Sequence, residues 1–168
     1  MSWKGGILMG ENGKNIVYQK IPGEIFVEAL TNAIQTMTGF IVEANAAYDE
    51  SNDEKDIVGA IVLYGEKKLL LTLMANRNTA LLLTAYMTGM DIDELTDNII
   101  CDSITEFINI VGGSARAALA DSNYSFKITV PFTITGKGVQ LMVKKRTDRF
   151  IVGFNSNEVK LCLKIIEL

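Results

Sequence analysis

Ile99-Ile100-Cys101-Asp102-Ser103-Ile104-Thr105-Glu106-Phe107-Ile108-Asn109-Ile110-Val111-Gly112-Gly113 carries two stripes at once. At 100° per residue, Ile100, Ile104, Phe107, Ile108, Val111, Ala115 and Ala118 fall on one broad apolar face, which a folded chain must bury. Asp102, Glu106, Asn109 and Gly113 fall together on another side, within an arc of roughly 60°. Two carboxylates, an amide and a glycine therefore line one exposed edge of a long helix. Glu106 and Asn109, three apart, are surface neighbours.

That exposed edge is unusual for a solvated helix, which favours long side chains such as Lys, Glu and Gln. Asn and Gly are poor helix formers, and each Gly costs about 0.8–1.0 kcal/mol relative to Ala. Gly112-Gly113 follows Asn109 almost at once. Either the glycines allow close helix packing, or they let another molecule's backbone approach.

Around this helix the chain reads as strands and helices in blocks. Ile7-Leu8-Met9 and Ile16-Val17-Tyr18 flank Asn12-Gly13, a type I′ hairpin signal. Pro22-Gly23 breaks the chain ahead of a helix marked by Ile25, Phe26, Ala29, Leu30, Ala33, Ile34 and Met37, which Gly39 ends. Phe40–Glu43 is expected as a short strand, and the charged run Asp49–Asp56 as a surface loop. Ile57–Tyr64 and Lys68–Met74 read as a hairpin about Gly65-Glu66. Asn78 is placed to cap a second helix that stops at Gly89. Asp91 and Glu94 have capping-box spacing for a long helical region reaching Leu119. Phe126–Phe132, Val139–Lys145, Phe150–Phe154 and Val159–Ile166 complete the strands. Such blocks, without strict strand–helix alternation, predict an α+β fold with an antiparallel or mixed β-sheet. No linker or composition shift divides residues 1–168, so one domain is expected, with residues 1–21 as an N-terminal β-hairpin extension.

Composition narrows the chemistry. Of the 168 residues 48% are hydrophobic and 21% charged, the balance of a globular chain rather than a disordered one. The net charge of −4 is the wrong sign for a broad nucleic-acid surface, and Lys144-Lys145-Arg146 reads as a solvated turn. There is no histidine, which removes Ser-His-Asp and Cys-His catalysis and the usual zinc sites. Cys101 and Cys162 lie in apolar runs and read as reduced, buried thiols. The acidic loop lacks the spacing of a calcium-binding loop, so no metal site is expected. No apolar run is long enough to span a bilayer, and Met1-Ser2-Trp3-Lys4-Gly5-Gly6 lacks the shape of a secretory signal; a cytoplasmic location is expected.

The segment Asp102-Ser103-Ile104-Thr105-Glu106-Phe107-Ile108-Asn109 resembles the signature of the CheC/CheX/FliY phosphatase family: an Asp or Ser, Glu four residues on, then Asn three further. In that family the signature continues with small residues and ends at a proline. Here Gly112-Gly113-Ser114-Ala115 and Ile128-Thr129-Val130-Pro131 follow, then Gly136. Ile57–Tyr64 is similar to the family's first central strand, and Met87-Thr88-Gly89 to the helix end before the signature. The resemblance runs from about Ile25 to Gly138 and is nearest to CheX-like members, which carry one site. Glu28 and Asn32 are spaced four apart, not three, and read as ordinary surface polarity rather than a second copy.

The resemblance implies a CheC/CheX-like domain that hydrolyses the aspartyl phosphate of a CheY-like receiver domain. It implies Asn109 as the residue that places the attacking water and Glu106 as the anchor on the partner. Asp102, Gly112 and Gly113 are the expected partner-binding positions. The receiver would supply Mg2+, so no cofactor of the chain's own is expected. CheX-like relatives form homodimers, and edge strands at the C-terminal end could pair across a two-fold axis. The alternative is a receiver-binding or flagellar-switch-type adaptor of the same fold without catalysis, since function resides in the site and not in the fold.

Overall fold

The structure, a computed structural model, describes residues 21–48, 54–122, 124–142 and 147–168. The expected N-terminal hairpin, residues 49–53 of the acidic loop and the basic run 144–146 lie outside these residues.

Helix α1 spans Gly23–Thr38 and, of the positions its periodicity picked out, buries Phe26, Ala29, Leu30, Ala33 and Ile34 and leaves Ile25 and Met37 half-buried. Gly39 ends it in the left-handed region, at φ 77°, and returns its N–H to Gln35 O. A short strand β1 (Glu43–Asn45) follows, a little later in the chain than expected. Strands β2 (Ile57–Gly65) and β3 (Lys68–Ala75) form the hairpin anticipated from their turn.

Helix α2 (Arg77–Thr88) is capped by Asn76, whose side chain accepts the Thr79 N–H at 2.8 Å, and not by Asn78. Asp91 makes no side-chain cap. Ile92–Glu94 forms a single 3-10 turn instead, and Thr96 caps the next helix by accepting from Ile99 N. That helix is α3, Asp97–Ala118, a single 22-residue helix. Strands β4 (Phe126–Ile128), β5 (Phe132–Thr135), β6 (Arg149–Asn155) and β7 (Lys160–Glu167) follow.

Among the described residues the strands form a seven-stranded sheet in the order β1-β6-β7-β3-β2-β4, with β5 also on β2, and every pairing is antiparallel. The C-terminal strands are therefore interior, contrary to their expected place at an edge: β7 lies between β6 and β3. Among the described strands the edges are β1 on one side and the line of β4 and β5 on the other.

Helices and sheet make two layers. Ile57, Ile61 and Leu63 of β2 alternate inward with Leu69, Leu71 and Leu73 of β3 and Leu161, Leu163 and Ile165 of β7. They share one core with Phe26, Leu30 and Ile34 of α1, Leu83 of α2, and Ile100, Ile104, Phe107, Ile108 and Val111 of α3. Val58, Met74 and Cys162 point to the other face, where Tyr48, Val139, Leu141 and Ile151 pack over them. This explains why Val139–Met142 forms no strand, against expectation. The segment crosses the back of the sheet as a cover, tied down by Val139 N to Lys55 O at 2.6 Å and Gly136 N to Asp56 O at 2.9 Å.

The expected strand Phe126–Phe132 is broken at residues 129–131. Ile128 pairs with Leu63, and Phe132 with Ala60, so the chain advances four residues where β2 advances three. One residue is extra, which is a β-bulge, and Pro131, with no N–H to offer a ladder, lies in it. Thr129 pins the bulge. Its N–H bonds Val62 O at 3.0 Å, and its hydroxyl accepts the Val62 N–H at 3.1 Å.

Candidate functional site

Helix α3 sits on β2 with its apolar face down. Ile100, Ile104, Phe107, Ile108, Val111 and Ala115 are fully buried. Ala118, assigned to that face by periodicity, is exposed in the last turn. The opposite edge carries Asp102 and Glu106, both exposed, and Asn109 and Gly113, both half-buried. The structure thus brings four of the five expected site residues onto one strip. The Asp102, Glu106 and Asn109 side chains make no hydrogen bond or ion pair with another described residue.

Gly112 does not join them. It is buried, and a Cβ built on it would stand 3.6 Å from Ile61 and 3.8 Å from Ile128. It faces the sheet, so the partner-binding position expected there is corrected: Gly112 belongs to helix–sheet packing. Gly113 is different, since a Cβ there would meet nothing within 4 Å. The packing reading of the glycine pair therefore applies to Gly112 and not to Gly113.

The flank of α3 beside Asn109 is held by groups that spacing did not reveal. Gly59 lies where α3 comes close against the sheet. A Cβ on it would stand 2.8 Å from Ile104 Cγ2 and 3.1 Å from Ile104 O. Only a residue without a side chain fits. Gly59 pairs with Thr133 of β5. Thr133 Oγ1 lies 2.6 Å from Thr105 Oγ1 and donates to Cys101 O at 3.2 Å, while Thr105 Oγ1 reaches the same carbonyl at 2.7 Å. A lone glycine inside the apolar strand run Ile57–Tyr64 was the sequence signal for this close approach. Thr133 had no such signal.

The beginning of α3 is tethered by an exposed ion pair between Arg77 and Asp97. Cys101, half-buried beside it, has its thiol pushed up by burial first and by the negative charges of Asp97 and Asp102 next, with Arg77 opposing. It is thus a poor nucleophile at neutral pH. Among the described residues no three His, Cys, Asp or Glu side chains converge as a metal site would require, and no helix is long and apolar enough to cross a membrane.

The strip can position and pair; it offers no nucleophile. A neutral amide orients water by donating and accepting, and a carboxylate one turn away can pair with a cation on an approaching surface.

Three comparisons bear on this arrangement. No curated protein matches the sequence. Solved structures share the fold. Chemotaxis protein CheX of Vibrio vulnificus superposes with a TM-score of 0.74 at 22% identity, covering 86% of this chain and 97% of its own. CheX of Desulfovibrio desulfuricans gives 0.74 at 23%, covering 87% and 98%. The Borrelia burgdorferi chain from a CheX–CheY–BeF3–Mg2+ complex gives 0.70 at 19%, covering 86% and 95%. The family profile of chemotaxis phosphatase CheX matches residues 57–155, which run from β2 to β6 and contain the whole strip on α3. With more than half of its length matched by that profile, the chain belongs to the chemotaxis phosphatase CheX family.

Proposed function

We propose that the chain is a phosphatase that hydrolyses the aspartyl phosphate of a CheY-like receiver domain. The observation that carries the reading is the strip itself: Asp102, Glu106 and Asn109 stand on the outer edge of one buried-faced helix, with no side-chain hydrogen bond or ion pair to another described residue. The Borrelia relative is recorded in complex with CheY, BeF3 and Mg2+, which supports a receiver as the partner and the receiver as the carrier of Mg2+.

Phosphoryl transfer of this kind depends on positioning and electrostatics more than on covalent chemistry from the catalyst. Glu106 pairs with a receiver lysine and sets the register of the two surfaces. Asn109 holds a water in line with the phosphorus. The water oxygen forms the new P–O bond as the aspartyl oxygen leaves, which releases inorganic phosphate and a free carboxylate. Asp102 adds a polar contact at the edge of the interface, and Gly113 lets the partner's backbone come close.

Decay of a phosphorylated receiver, with and without the protein, tests this. Wild type accelerates the decay, and Asn109→Ala loses about a hundredfold, or roughly 2.7 kcal/mol of transition-state stabilisation, while still binding. Unchanged decay together with retained binding would make the protein a non-catalytic receiver-binding adaptor instead.

The same reading includes a homodimer, and with β7 interior we propose the β4–β5 edge for it. Phe132 and Ile134 stay 45% and 38% exposed there. Sedimentation should give twice the chain mass, and Ile134→Lys should return a monomer; a monomeric wild type removes the dimer from the reading.

A further inference from the structure

The bulge at residues 130 and 131 decides which way β5 faces. Without the extra residue, the register Ile128–Leu63 would continue to Thr133–Val58, and Thr133 would share the back face of the sheet with Val58. With it, Thr133 pairs with Gly59 and turns to the helix face. α3 also lies close against the sheet at Gly59, so the Thr133 hydroxyl reaches the helix: Thr105 Oγ1 at 2.6 Å and Cys101 O at 3.2 Å.

Thr105 immediately precedes Glu106 and stands one turn below Asn109, so it lies on the Asn109 flank of the helix. A threonine that bonds the carbonyl four residues back is common in helices and stays within the helix. A second hydroxyl, from a strand and on the same carbonyl, is a tether between elements. With one proton each, Thr105 donates to the Cys101 carbonyl at 2.7 Å and Thr133 shares its proton between Thr105 Oγ1 at 2.6 Å and that carbonyl at 3.2 Å.

We propose that Thr133 is a positioning residue: through Thr105 and the Cys101 carbonyl it fixes the rotation of α3 about its axis, and so the direction in which Asn109 presents its amide. This rests on the phosphatase reading and names a residue that acts on its chemistry without touching the partner. A small turn of the helix displaces the water that Asn109 holds, and misplacements of an ångström are costly in rate. Binding through Glu106, at the end of a longer and freer side chain, tolerates the same turn.

Thr133→Val keeps the shape and removes the hydroxyl; Thr133→Ser keeps the hydroxyl. The valine variant should lower kcat for receiver dephosphorylation by about tenfold with KM within about twofold, and the serine variant should restore kcat. Thr105→Val should reproduce the loss, and the double variant should be little worse than either single one, as for two ends of one tether. Amide exchange over residues 105–109 should quicken in Thr133→Val and not in Thr133→Ser. A valine variant with wild-type kcat, or a serine variant as slow as the valine one, overturns the proposal. If the wild type itself does not hydrolyse the receiver phosphate, the phosphatase reading falls. The tether is then judged on amide exchange alone, where an unchanged rate in Thr133→Val rejects it.

Discussion

Gly112 and Gly113 are chain neighbours with opposite surroundings, and alanine separates them. At Gly112 the new methyl would lie in ordinary contact with Ile61 and Ile128. Gly112→Ala should therefore raise stability by about 0.8–1.0 kcal/mol through helix propensity, read as a higher denaturation midpoint, and leave receiver turnover unchanged. At Gly113 the methyl points into open space. The stability gain should be similar, but KM for the receiver should rise, about tenfold if the partner's backbone packs there. Gly59→Ala goes the other way, because its methyl would collide with Ile104; a loss of about 1–3 kcal/mol is expected in denaturant unfolding. Cys101 makes a fourth test. Its folded thiol ionises at higher pH than the unfolded one. Stability tied to the protonated thiol is therefore intact below the ordinary thiol range and is lost as pH rises through the raised value. The alkaline fall in stability should be shallower in Cys101→Ala, and native Cys101 should be alkylated more slowly than the same thiol in denaturant.

At the level of elements, α3 was the most legible part of the sequence, because burial on one side and polarity on the other both repeat at 3.6 residues. The Asp102–Glu106–Asn109–Gly113 strip followed from that period alone. What the period could not show was the flank. Gly112 sits on the border between the two stripes, and only the position of β2 and β4 decides that it is covered. Caps were harder still. Asn76 and Asn78 are equally good cap residues, and the choice depends on Asp56, which accepts the Arg77 N–H at 3.0 Å and fixes where α2 begins. The strand Phe126–Phe132 looked continuous because β-propensity does not register a one-residue insertion; Pro131 was the visible sign of it. Val139–Met142 has strand composition for a different reason: it is apolar because it covers the back of the sheet.

On the scale of the molecule, local signals gave the α+β class and the order of elements but not the order of strands. That order depends on pairings between residues about a hundred apart in the chain, such as Leu69 with Glu167, which leave no mark in any short window. Mg2+ requirements also belong to this scale. Chelating the metal should abolish receiver dephosphorylation, while calorimetric titration of Mg2+ into the protein alone should show no binding; heat from the protein alone would move the metal onto this chain. The sheet order has a further consequence, for biosynthesis. The strands β6 and β7 are made after β1 to β5 yet lie inside the sheet, so the ribosome releases α3 with its strip well before the layer beneath it can close. Until β7 emerges, β3 offers an unpaired apolar edge. Chains stalled before Leu161 should be caught by chaperones or proteases rather than accumulate with the strip already exposed.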